Sequence, residues 1–87
     1  MKILIVDDNE RIRKLINKLL DKLNTPIDVI ECEDGEEAVK IYNEENPDLI
    51  LMDIIMKKAD GFSAIRRIRS ISPEATIIVI SQLPEQE

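Results

Sequence analysis

The sequence predicts an α/β layered domain: a parallel sheet with helices on both faces. Three observations predict it. Short apolar runs that end on acidic or hydroxyl residues occur at 2–8, 49–53 and 76–81, as in strands buried on both faces. The stretches between strands repeat apolar residues every three or four positions, the period of amphipathic helices. Strand and helix alternate three times before the final strand, and strands joined through helices pair in parallel by right-handed crossovers.

The first strand, Lys2-Ile3-Leu4-Ile5-Val6-Asp7-Asp8, closes on two adjacent carboxylates. Asn9 is a good N-cap, and Glu10 suits the positive end of a helix. Ile12, Leu15, Ile16, Leu19, Leu20 and Leu23 then form one apolar helical stripe. Asn24-Thr25-Pro26 ends that helix, because the residue before proline avoids the α region. Residues 27–32 alternate apolar and polar, as an edge strand does. Asp34-Gly35-Glu36-Glu37 has the form of a capping box. Ala38, Val39, Ile41 and Tyr42 supply the inner face of a second helix, which stops before Pro47.

The third strand, Leu49–Asp53, is the one the chain is organised around. Four apolar residues run into a carboxylate at the rim of the core, where desolvation penalises charge. A loop over 54–60 leads to Asp60-Gly61 and a third helix. Its spacing turns Phe62, Ile65, Ile68 and Ile71 inward and Arg66, Arg67 and Arg69 outward. Ser72-Pro73 breaks it, residues 76–81 form a fourth strand, buried by its composition, and 82–87 is a polar tail.

The 87 residues make one domain over 1–87. Only 2% of them are aromatic, so the core must be aliphatic. A net charge of −6 argues against direct nucleic-acid binding, which needs a basic face. The absence of histidine removes the usual neutral-pH general base and the commonest transition-metal ligand. Cys32, the single cysteine, cannot form an internal disulfide; it reads as a small buried apolar residue in a reduced, cytoplasmic setting. No stretch has membrane-spanning length, and Met1-Lys2 leads straight into a strand rather than a signal peptide.

Parallel strands place their carboxyl ends on one edge of the sheet, where ligands bind. Asp7, Asp8, Asp53 and Ser81 all fall at such ends. With the first and third strands adjacent, three carboxylates share one crevice. Like charges that close raise at least one pKa unless a cation neutralises them. Oxygen ligands alone suit a hard cation, Mg²⁺ more than Zn²⁺. A carboxylate beside such an ion is a candidate nucleophile toward a phosphoryl group. The plainer alternative, polar strand ends at ordinary turns, stays open on these residues alone.

Taken together, Ile5-Val6-Asp7-Asp8-Asn9, Asp34-Gly35-Glu36-Glu37-Ala38, Leu51-Met52-Asp53-Ile54-Ile55-Met56, Asp60-Gly61 and Ile78-Val79-Ile80-Ser81 resemble a response-regulator receiver domain over the whole chain. The resemblance implies a flavodoxin-like, doubly wound parallel sheet of strand order 2-1-3-4-5. It implies a signalling module rather than a turnover enzyme, with Asp53 as the phosphoacceptor. The donor would be the phosphohistidine of a sensor histidine kinase or phosphotransfer protein. Asp8, Asp53 and the Ile55 carbonyl would ligate Mg²⁺ directly, and Asp7 through water. Ser81 would hydrogen-bond the phosphoryl group, and the backbone N–H groups of Ile55 and Gln82 would contact its oxygens.

Against the family pattern, the chain is expected to be truncated after the fourth strand. The fourth helix, the lysine-bearing fifth strand and the fifth helix fall beyond Glu87. Lys57 stands where the family usually has proline, and Gln82 where it has a small residue. Lys57 and Lys58 read as solvated loop lysines. Apolar Ile55 and Leu83 imply slow hydrolysis of an acyl phosphate. An uncovered fourth strand implies self-association through that strand and the open sheet face. Two functions follow: Mg²⁺-dependent phosphotransfer to Asp53, or an association module without phosphotransfer. A hydrolase acting through Asp53 is the weaker third, since no base or lysine completes it.

Overall fold

The computed structural model describes residues 1–56 and 61–80. Its elements run β1 Lys2–Val6, α1 Glu10–Asp21, β2 Asp28–Cys32, α2 Gly35–Glu45, β3 Leu49–Asp53, α3 Gly61–Ile71 and β4 Ile77–Ile80. The four strands form one parallel sheet in the order β2-β1-β3-β4, so β2 is an edge strand as its alternation predicts. The chain leaves β1 in one direction to build β2, then crosses back over β1 to place β3. Right-handed crossovers therefore set α1 on one face of the sheet and α2 and α3 on the other. The doubly wound arrangement is the expected one.

The caps fall where the sequence puts them. Asn9 is extended and its Oδ1 accepts from the Arg11 N–H at 2.9 Å; Asp34 Oδ1 accepts from the Glu37 N–H at 2.8 Å. Asn46 ends α2 in the left-handed region, at φ 46°, a conformation asparagine tolerates better than most residues. α1 stops at Asp21, ahead of the Asn24-Thr25-Pro26 breaker, and Leu23 lies outside it.

Leu4, Val6, Ile50 and Met52 pack beneath Ala38, Val39 and Tyr42 of α2 and Ala64 and Ile68 of α3, an almost wholly aliphatic core. Ile3 and Ile5 alternate to the opposite face and are buried there. Cys32 is buried, as expected of a small apolar residue. Three sequence expectations need correction. The α1 stripe is only partly covered, with Leu15, Leu19 and Leu23 about half exposed. Ile68 is buried as read, but Phe62 and Ile71, also read as inward, are half exposed, because α3 buries Gly61 and Ala64 alongside Ile68. β4 is a described edge strand whose Ile78 and Val79 face solvent, although its composition suggested full burial. Among the described residues no helix is long and apolar enough to cross a membrane.

Candidate functional site

The site is built by register. Val6 of β1 pairs with Met52 of β3, so the residues that follow, Asp7 and Asp53, emerge side by side at the carboxyl edge of the sheet. Asp8 joins them, and one carboxylate oxygen from each of the three lies within 4.8 Å of the others. Asp7 and Asp53 are buried and Asp8 is exposed, which leaves the cluster open to solvent on one side.

Backbone donors hold two of the acids. The Asn9 N–H donates to Asp7 Oδ1 at 2.8 Å, and the Ile55 N–H donates to Asp53 Oδ1 at 3.0 Å. Burial raises the Asp7 carboxyl above its usual range; the Asn9 N–H opposes that, while the charges of Asp53 and Asp8 add to it. A rise was expected from like charge alone; here burial is the larger cause and the neighbouring carboxylates add to it. Arg13 is the cation nearest in effect, and it acts to lower the Asp7 value.

The donor set fits a hard divalent cation. It is all oxygen and triply acidic, and one side is accessible for water ligands. The chain has no histidine, and the Cys32 thiol is pushed up to about 12, chiefly by burial, so it offers no thiolate. Asp8, Asp53 and the Ile55 carbonyl are the direct ligands such an ion would take on the sequence reading. Of these, the Asp8 and Asp53 carboxylates converge, together with that of Asp7. Ser81, Gln82, Leu83, Lys57 and Lys58 lie outside the described residues. Ile80, which precedes Ser81, is registered against Asp53.

Two residues of the site region escaped the sequence reading. Gly61 opens α3 against the backbone at the end of β3: a Cβ there would stand 2.5 Å from the Asp53 carbonyl oxygen and 2.6 Å from Ile54 Cα. The Asp60-Gly61 pair had marked a helix start, not this close approach. Arg13 is buried on α1, donating through Nη1 to the Asp7 carbonyl at 2.7 Å and through Nε to Glu31 Oε1 at 2.9 Å. An arginine on a helix crowded with charge reads as solvated, and no local signal separates it from Arg11.

A doubly wound parallel sheet with a cluster of three carboxylates at its carboxyl edge defines a flavodoxin-like domain of the receiver class. The sequence profile of the response regulator receiver domain matches residues 3–87, and the chain belongs to that family, the receivers of two-component systems. It is 41% identical over 85 residues to the chemotaxis protein CheY of Bacillus subtilis, covering 98% of this chain and 70% of the relative. Among solved structures, it resembles the Thermotoga maritima response regulator TrrA in complex with Mg(2+)-BeF, at 34% identity and TM-score 0.84, over 92% of this chain and 68% of that one. The response regulator domain of Thermotoga maritima CheB is similar at 33% identity and TM-score 0.83, over 99% of this chain. The chain spans 63% of that domain's length.

Proposed function

We propose that this chain is a phosphoacceptor: Asp53 takes a phosphoryl group from the phosphohistidine of a sensor kinase or phosphotransfer protein, in a cytoplasmic setting and with Mg²⁺ bound. The convergence of Asp7, Asp8 and Asp53 within 4.8 Å at adjacent strand ends carries the reading. A carboxylate oxygen of Asp53 attacks phosphorus, the P–N bond breaks, and the imidazole nitrogen leaves with the electron pair and is protonated. Mg²⁺, when bound, would neutralise charge on the three acids and on the phosphoryl oxygens. Asp8 and Asp53, with the Ile55 carbonyl, are its proposed ligands, and Asp7 contributes through water. Ser81 and the N–H groups of Ile55 and Gln82 are the proposed phosphoryl contacts. The Ile55 N–H, which now satisfies Asp53 Oδ1, would be shared with the incoming group.

The test is incubation with Mg²⁺ and acetyl phosphate or beryllofluoride. The expected result is one phosphoryl adduct by intact mass with acetyl phosphate, or saturable binding of beryllofluoride, each absent in Asp53→Asn and abolished by chelation. Mg²⁺ at ten times its dissociation constant should also stabilise the fold by about 1.4 kcal/mol. No adduct and no Mg²⁺ response would overturn the assignment.

The half-exposed Ile78 and Val79 on a described edge strand favour a second, compatible role, pairing of two copies through β4. A monomeric mass at micromolar concentration would remove it.

A further inference from the structure

We propose that Arg13 is a positioning residue for the acidic site: its guanidinium grips the backbone of Asp7 so that the carboxylates of Asp7 and Asp8 converge on Asp53. The inference rests on the Mg²⁺ reading above and extends it to a side chain that touches neither ion nor phosphate.

Arg13 is only 8% exposed, the one buried residue of α1. Its Nη1 donates to the Asp7 carbonyl at 2.7 Å and its Nε to Glu31 Oε1 at 2.9 Å, while Asn17 Nδ2 donates to the other oxygen of Glu31 at 2.9 Å. The planar guanidinium is thereby forked between the end of β1 and the edge strand β2, an arrangement an ammonium cannot reproduce.

Asp7 lies one residue past β1. Its N–H still bonds the Cys32 carbonyl at 3.1 Å, but its own carbonyl is taken by Arg13. That carbonyl belongs to the planar peptide group joining Asp7 to Asp8. Fixing the plane sets the directions from which both side chains leave the backbone. The Asn9 N–H then holds Asp7 Oδ1. Partners that orient ligands in this way commonly govern metal affinity by 10- to 100-fold.

The experiment compares Mg²⁺ titration of the wild-type chain, followed by amide NMR shifts, with Arg13→Gln, Arg13→Lys and Arg69→Gln. Arg69 supplies the control. It grips the Pro73 and Ala75 carbonyls at the α3–β4 connection, so its loss costs a comparable anchor away from the acids. Arg13→Gln should weaken Mg²⁺ binding about tenfold. Arg13→Lys should fail to restore it, and Arg69→Gln should leave it unchanged. Equal affinity in Arg13→Gln, or full restoration by lysine, overturns the proposal. Hydrogen exchange without metal decides it independently. The Asn9 amide should lose protection several-fold in Arg13→Gln and not in Arg69→Gln; unchanged protection overturns the proposal. If Arg13→Gln does not fold, Arg13→Lys carries both readouts. A wild-type chain that binds no Mg²⁺ would instead overturn the phosphoacceptor reading, with hydrogen exchange still deciding the role of Arg13.

Discussion

Asp7 and Asp53 stand together because Val6 and Met52 are register partners on adjacent parallel strands. A shift of one residue in that pairing would carry one acid out of line with the other and turn β3 over in the sheet. The chemistry of the site is therefore tied to the burial of Leu4, Val6, Ile50 and Met52, which fixes the register.

Placing two buried acids side by side has a cost that substitution should expose. Burial, and then the charges of Asp53 and Asp8, raise the Asp7 carboxyl above its unfolded value of 3.8. An acid raised on folding lowers stability at any pH above that unfolded value, and the penalty disappears below it. Asp7→Asn should therefore raise the melting temperature of the metal-free protein by a few degrees at pH 7, with no gain near pH 3. The same variant should weaken Mg²⁺ binding by at least about tenfold. Thermal melts at the two pH values, with and without Mg²⁺, check both halves.

Gly61 should resist a substitution that helix propensity favours. Alanine in a helix is worth about 1 kcal/mol over glycine. Here a Cβ would fall 2.5 Å from the Asp53 carbonyl oxygen and 2.6 Å from Ile54 Cα, both backbone atoms with little room to move. Gly61→Ala should destabilise the protein and displace the end of β3, seen as a lower melting temperature together with weaker Mg²⁺ binding. A stabilised variant with unchanged affinity would contradict the close approach.

Asp53 and its acid partners were legible because a short apolar run ending in acid signals a buried strand end, and strand ends of a parallel sheet share an edge. The caps at Asn9 and Asp34 were legible because capping is local chemistry. Helical periodicity identified the α1 stripe but not how much of it would be covered, since coverage depends on what packs opposite. For the same reason it misplaced Phe62 and Ile71: the i, i+3 row 62, 65, 68, 71 drifts around the helix, and the face that is buried runs through Gly61, Ala64 and Ile68, which keeps Ile68 of that row and leaves its two ends half in water. Arg13 was illegible because its partners, Asp7 and Glu31, are joined to it only by the folded sheet.

The unequal burial of the two sheet faces can be measured. Ile50 is fully buried between α2 and α3, so Ile50→Ala should cost about 3 kcal/mol through lost contacts and the cavity left behind. Leu19 on α1 is already about half in water, so Leu19→Ala should cost less than about 1 kcal/mol. Urea unfolding midpoints at constant slope give both values. Equal losses would mean that α1 is covered in solution.

Cys32 gives the fold an alkaline limit. Burial first, then the charge of Glu37, pushes its thiol up to about 12 from an unfolded value of 9.0, although a backbone hydrogen bond of Asp34 pulls the other way. A group that ionises more readily unfolded than folded contributes stability below its unfolded value and loses that contribution as pH rises past it. The window is thus pH 9 to about 12, with each unit worth about 1.4 kcal/mol at most. Cys32→Ala has no thiol to titrate. Its stability deficit against the wild type, set by the lost packing of a buried side chain, should be constant to pH 9 and shrink between pH 9 and 10.5 in urea titrations. Below that window the folded thiol should resist alkylation at pH 8 and react only after unfolding. Rapid alkylation of the native protein would show a thiol far closer to its ordinary value than burial against Asp34 and Glu37 dictates.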